Sequence, residues 1–190
     1  MRGKKDKPDV AEFALNLSAN IYSLHRELGQ KTYRHGPYRA FSINDPKPRQ
    51  IHKSTVRDRV LHHAIYRVLY WHFDRKFIYD SYSCRLGKGT HRALDRFRTL
   101  ARQASESHSR TCWVLKCDVK KFFASIDHKI LLKTIKKHLD DADVVWLLEQ
   151  VIFSFNSRIQ GVGLPLGNLT SQLLVNILMN DFDQFVKHHL

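Results

Sequence analysis

The residue that most restricts what this chain can become is Asp118, which closes the run TCWVLKCDV at residues 111–119. The run is rich in apolar and β-forming residues, and it alternates. Trp113, Leu115 and Cys117 fall on one side, Val114, Lys116 and Asp118 on the other, so a strand is predicted. A carboxylate at the end of an apolar strand is costly to bury without a charged partner or a metal ion. Nucleotidyl transfer needs such carboxylates, because two divalent ions about 4 Å apart are held against the attacking and leaving oxygens. Mg2+ takes one or two carboxylates together with substrate phosphates, which a strand-end aspartate can offer. The plainer alternative is an aspartate that caps the next turn or pairs with Lys116 or Lys120. From the strand pattern alone, that alternative is the commoner outcome.

Around this strand the chain reads as mostly helical α+β. Residues 9–28 place Phe13, Leu17, Ile21, Leu24 and Leu28 at helical spacing, with Gly29 as a stop. From Tyr33 to Pro48, HGPYRAF and NDPKP break regular structure, leaving a short alternating strand at Arg39–Ile43. A long helix is predicted over 55–79, with Val56, Val60, Ala64, Val68 and Leu69 as its apolar stripe. Arg57, Arg59, His62, His63 and Arg67 then fall on its other faces. The turn LGKGT opens a helix from His91 to Arg102, and QASESHSR is a polar loop. Two more helices are expected at 129–139 and 144–155. The glycine-rich QGVGLPLGN leads into a last helix that runs to residue 190.

Charge narrows the class of partner. Lys and Arg number 32 against 18 Asp and Glu, a formal net charge of +14. Such an excess favours a polyanion through Coulomb attraction and counterion release, with nucleic acid the first candidate. No apolar run approaches the roughly 20 residues that span a bilayer. The charged start MRGKKDKPDV precedes no apolar signal core, so secretion is not expected. Cys84, Cys112 and Cys117 are odd in number and wrongly spaced for a disulfide framework or a zinc site. A reduced, cytoplasmic setting fits best.

Four segments, in order, carry a family resemblance. KCDVKKFFASIDHKIL resembles motif A of bacterial reverse transcriptases: a strand, an Asp, an aromatic five positions on, then I-D-H opening a helix. The match places Asp118 on the catalytic, metal-binding aspartate and Val119 on the residue whose carbonyl helps hold the metal. Phe123 falls on the aromatic gate beneath the sugar, which implies preference for deoxynucleotides; the alternative is a core aromatic beside Phe122. Asp127 reads as a helix cap. PKPRQIHKSTVRDRVLHHAI (46–65) resembles the fingers motif, a basic hairpin followed by D-R-V and a helix. It places Lys47 and Arg49 on the incoming triphosphate, which guanidinium forks suit. Arg57 and Arg59 fall near the template or structural carboxylates. YDSYSCRLGKGTHRAL (79–94) resembles the second motif, with Arg85 and Lys88 approaching template and nucleotide; a lone GKG also fits an ordinary helix-start loop. GLPLGNLTSQLLVNILMNDFDQFVKH (163–188) resembles motif B, so that Leu166 and Gly167 meet the nucleotide and Asn168 the nucleic acid.

The resemblance runs from about residue 13 to residue 190. It implies the fingers and part of the palm of a right-hand polymerase, with 1–110 as N-terminal extension and fingers and 111–190 as partial palm. The implied activity is RNA-directed DNA synthesis with two Mg2+ ions (Mn2+ as substitute), an RNA template, a DNA or RNA primer and deoxynucleoside triphosphates. The wording G-L-P-L-G-N-L-T-S-Q looks like the reverse transcriptases of diversity-generating retroelements and related unclassified and defence-associated enzymes. There Leu166 replaces the Gln of the usual P-Q-G, which implies looser nucleotide control and error-prone copying. One departure is marked. The aromatic-x-Asp-Asp hairpin and the thumb are not found by residue 190, and Asp181 and Asp183 do not replace them. The sequence is thus expected to be cut before its second carboxylate motif and inactive by itself. Two other readings stand beside this one: a non-catalytic nucleic-acid-binding module, and an RNA-dependent RNA polymerase, which Phe123 argues against. Whether an accessory protein or a cognate structured RNA is required stays open.

Overall fold

Two short helices open the N-terminal part. α1 (Pro8–Leu15) carries proline in its first turn, where a missing N–H costs nothing, and α2 (Leu17–Gly29) follows directly. The computed structural model describes residues 6–44 and 47–189, so the turn expected at Asp45 and Pro46 lies outside the described residues. The apolar spacing over 9–28 predicts one helix; the structure has two. Asn16 breaks the ladder with φ −117° and ψ 38°, as suits a short polar side chain that competes for backbone hydrogen bonds. The Phe13 carbonyl at the break accepts from Asn20 Nδ2 at 2.9 Å. Of the five apolar positions, Leu24 is buried, whereas Leu17 and Ile21 stay exposed.

β1 (Arg39–Ile43) and β2 (Arg49–Lys53) form an antiparallel hairpin in which Arg39 faces Lys53 and Ile43 faces Arg49. The strand expected at 39–43 and the basic hairpin both form. α3 (Val56–Asp74) is capped by Thr55, whose hydroxyl accepts from the Asp58 N–H at 3.2 Å. Its buried face differs from the predicted stripe. Leu61, Ile65, Leu69, Tyr70 and Phe73 turn inward together with Asp58 and His62, while Val68 is 69% exposed. The inward face contains two polar residues, so apolar periodicity alone points about one position away from it.

After α4 (Thr90–Ala104), the short α5 (Phe122–Ser125), α6 (His128–Lys136), α7 (Ala142–Ile152) and α8 (Leu169–His189) complete the order. Asp127 caps α6, accepting from the Lys129 and Ile130 N–H groups, and Asp141 caps α7 in the same way. α8 packs on α3 and α6, and α6 packs on α7. Leu131, Ile135, Leu148, Ile152, Leu174 and Ile177 fill the space between them. Each such side chain contributes about 1.5–3 kcal/mol on burial, so this block is the main hydrophobic core of the described residues.

The predicted strand at 111–119 does not form. Trp113 and Leu115 are 93% and 90% exposed. A strand needs a neighbour for its N–H and C=O groups, and the sheet found among the described residues is the two-stranded hairpin of β1 and β2. Helix nevertheless dominates, in keeping with a mostly helical α+β fold. No helix among the described residues is long and apolar enough to cross a membrane.

Candidate nucleotide-binding site

Three segments far apart in sequence meet at one cavity because backbone hydrogen bonds stitch them together. Residues 157–164 lie against 123–128: Leu164 N–H donates to Phe123 O and Gly163 N–H to Ile126 O, both at 2.7 Å. His128 N–H donates to Gly161 O at 3.0 Å, and the buried His128 Nε2 reaches Gly163 O at 2.6 Å. On the other side, the hairpin docks on residues 166–168. His52 N–H donates to Leu166 O at 2.9 Å. Ser54 Oγ donates to Asn168 Oδ1 at 3.1 Å, and Asn168 Nδ2 donates to His52 O at 3.4 Å. Gly167 makes the approach possible. Its φ is +103°, and an added Cβ would lie 2.7 Å from Ile51 Cγ2, so both the backbone angle and the space ask for glycine.

The result is an open cavity of about 530 Å³. Phe122, Phe123, Phe155, Leu164 and Leu166 supply apolar wall, and Arg49, Lys121 and Arg158 supply charge. His52 lies against Phe155, with ring centroids 4.6 Å apart, and burial holds its imidazole below the usual histidine range. An apolar wall with a cationic rim suits a ligand that is aromatic at one end and anionic at the other.

The residues singled out in the sequence divide into three groups. Arg49, Phe123 and Leu166 line the cavity, and Gly167 shapes its edge. Asp118 and Val119 are exposed just ahead of Lys121, on the unpaired run, and neither lines the cavity; Lys47 is exposed and outside the lining as well. The remaining residues are used inside the fold. Arg57 pairs with Glu27 and donates to Arg34 O at 3.1 Å. Arg59 pairs with Asp9 at 2.7 Å, and Lys53 first, then Arg59, hold that carboxyl below its ordinary range. Arg85, with its side chain 8% exposed, clamps Asp74 at 2.7 Å and the carbonyls of Ile78 and Ser81. Lys88 lies over the Tyr79 and Tyr82 rings. Asn168 is buried against the hairpin.

A family model for the reverse transcriptase (RNA-dependent DNA polymerase) domain matches residues 43–190. The chain belongs to the reverse transcriptase family. Among curated relatives of this reverse transcriptase chain is protein YkfC of Escherichia coli, 27% identical over 177 residues that cover 90% of this chain and 46% of the relative. The group II intron-encoded protein LtrA of Lactococcus lactis is 25% identical over 176 residues, covering 87% of this chain and 28% of the relative. The chain therefore spans less than half the length of these relatives.

Whether the described residues could hold the family's metal is a question of donors. Two-ion chemistry needs several carboxylates around shared ions. Among the described residues, no group of three or more His, Cys, Asp or Glu side chains is placed to hold an ion. Asp118 is the one carboxylate the motif match supplies, so these residues by themselves do not make a Mg2+ or Mn2+ site.

No motif in the sequence singles out His52, Lys121, Phe155 or Arg158. Lys121 belongs to the Lys120-Lys121 pair that follows Val119. Arg158 sits in the polar stretch just before the glycine-rich loop, where a lone cation carries no signal until the loop folds back.

Proposed function

We propose that the protein copies an RNA template into DNA, extending a DNA or RNA primer with deoxynucleoside triphosphates. The observation that carries this reading is the meeting of Arg49, Phe123 and Leu166, one from each of three separated motifs, on one cavity of suitable size and polarity. In this reading, residues 1–110 serve as N-terminal extension and fingers and 111–190 as part of the palm. Arg49 grips the triphosphate, the Phe123 ring sits under the sugar, and Leu166 borders the base pair being formed. The reaction also needs carboxylates to partner Asp118. We assign the activity to the whole protein rather than to these 190 residues, and its setting to the cytoplasm.

Primer extension on an RNA template by the whole protein tests the assignment, with Asp118→Ala as the control: extension that survives this substitution comes from a contaminant. Phe123→Ala is expected to raise ribonucleotide incorporation relative to deoxynucleotide by about tenfold or more, since size exclusion in a pocket gives discrimination of that order. An unchanged sugar ratio would remove Phe123 from the gate. Nucleic-acid binding without Mg2+, and no extension by any longer form, would instead favour a non-catalytic binding module.

We further infer error-prone copying of the diversity-generating type. Support comes from the run G-L-P-L-G-N-L-T-S-Q and from Leu166 on the cavity wall, where an apolar side chain offers no hydrogen bond to the nucleotide. Leu166→Gln is expected to cut misincorporation about 2- to 10-fold, in line with one net hydrogen bond of about 1 kcal/mol. Equal error rates in the two proteins would sink the idea.

A further inference from the structure

Three cations gather at the cavity rim with no carboxylate among them. Arg49 comes from β2, Lys121 from the turn before α5, and Arg158 from the loop between α7 and α8. Among the described residues, no acidic side chain lines the cavity, and none of the three cations forms an ion pair. The arginines at 57, 59, 85 and 96, by contrast, each pair with a carboxylate. Like charges that converge without a counter-charge repel one another, so an arrangement of this kind is built for an anion that arrives from outside.

Arg158 is also held in place. Ser157 N–H donates to Val162 O at 2.7 Å, and Gly161 N–H donates to Asn156 Oδ1 at 2.7 Å, bracing the loop on both sides of it. At Gly163, with φ +109°, an added Cβ would meet Ser157 Cβ at 2.8 Å, so the loop closes tightly on itself. Lys121 adopts φ 53°, a left-handed conformation that a residue with a side chain seldom takes, and from it lines the same cavity.

We propose that Arg158 and Lys121 complete a three-cation clamp with Arg49 on the polyphosphate of the incoming nucleotide, and that they govern its affinity. This rests on the nucleotide-site reading above. A guanidinium fork matches two phosphate oxygens, whereas an ammonium supplies a point charge. Phosphate of the same chemistry also occurs in the template–primer backbone, so the test separates the two sources. In the whole protein, Arg158→Gln is expected to raise KM for the deoxynucleoside triphosphate about tenfold, with a smaller change in kcat. The Kd for template–primer at fixed ionic strength should change less than about twofold, and Arg158→Lys should recover part of the loss. Both residues are exposed, so their replacement leaves the core intact.

Weakened template–primer binding with KM unchanged would place Arg158 on the strand backbone and overturn the clamp. No change in either quantity would overturn it as well. Inorganic tripolyphosphate, titrated calorimetrically, reads the clamp without catalysis. Binding that weakens about tenfold in Arg158→Gln and in Lys121→Gln supports the clamp even if primer extension fails and the polymerase reading falls. Equal tripolyphosphate binding in all three proteins removes the clamp whatever the polymerase does.

Discussion

Replacing Asp58 by alanine is expected to destabilise the fold by about 3–5 kcal/mol. Asp58 is fully buried in the first turn of α3. Its Oδ1 accepts from Tyr33 OH at 2.8 Å, and its Oδ2 accepts from Thr55 Oγ1 at 2.6 Å and Gly36 N–H at 3.0 Å. Arg57 Nη1 lies 3.5 Å from Oδ1. Alanine would leave these donors facing an emptied site that water does not easily reach. Tyr33 makes the point from the other side: burial first, and then the Asp58 charge, push its phenol far above the ordinary range, so it stays a donor at any working pH. Gly36 adds a steric reason for the fit, since a Cβ there would lie 2.9 Å from Asp58 Oδ2 and from Thr55 Cγ2. In urea or thermal unfolding, a protein of this size should lose about 10 °C or more in Tm. A loss below about 1 kcal/mol would mean that the network is replaceable by water or by a shift of α3.

That network marks where the sequence stops being legible. HGPY reads as a turn because Gly and Pro interrupt it, and residues 35–38 are indeed irregular ahead of β1. What no local pattern shows is that Tyr33 is fully buried and that the partner of its hydroxyl, Asp58, lies 25 residues away. Asp58 and His62 displaced the apparent apolar stripe of α3 for the same reason: they are polar residues buried by long-range hydrogen bonds, which periodicity counts as surface. Where structure is local, the sequence is clear. The cap at Asp127, the strand at 39–43 and the helices at 129–139 and 144–155 follow from neighbours only. The failed strand at 111–119 is the opposite case, because alternation says which residues prefer a strand and says nothing about whether a neighbouring strand is at hand. The candidate site lies between these extremes. Arg49, Phe123 and Leu166 were found through motifs, whereas Arg158 and Phe155 join them only once 157–164 folds against 123–128.

A fall in pH should uncouple the last helix from the rest of the core through His62. Thr170, at the start of α8, donates from Oγ1 to His62 Nδ1 at 2.7 Å. His62 Nε2 sits 3.1 Å from His35 Nε2, and His35 Nδ1 lies 2.6 Å from Gly36 O. Since a carbonyl accepts only, His35 Nδ1 carries a proton, and with His62 neutral its Nε2–H faces His35 while its Nδ1 accepts from Thr170. Tyr38 closes the group, with its hydroxyl 3.2 Å from His35 Nε2 and 2.9 Å from Ser154 Oγ, two residues past α7. Burial first, and His35 second, lower the His62 pKa to about 4, against the opposing pull of Asp58; the neighbouring His63 adds a small push in the same direction as His35. The unfolded chain takes up this proton near pH 6.5, the folded one only near pH 4. Between those values the unfolded state binds more protons, so stability is intact above pH 6.5 and falls as pH drops towards 4. The loss amounts to about 3 kcal/mol. His62→Gln keeps an amide that can donate to His35 and accept from Thr170, yet it does not titrate. His52 and His138, whose burial also lowers their pKa values, remain in both proteins, and so do the paired carboxylates of Asp9, Asp74 and Asp80. The difference between the two unfolding curves over that pH range therefore isolates His62. Wild type should lose about 3 kcal/mol more than the variant, and parallel curves would mean that acid reaches the pair without cost and that α8 is not held through a neutral imidazole.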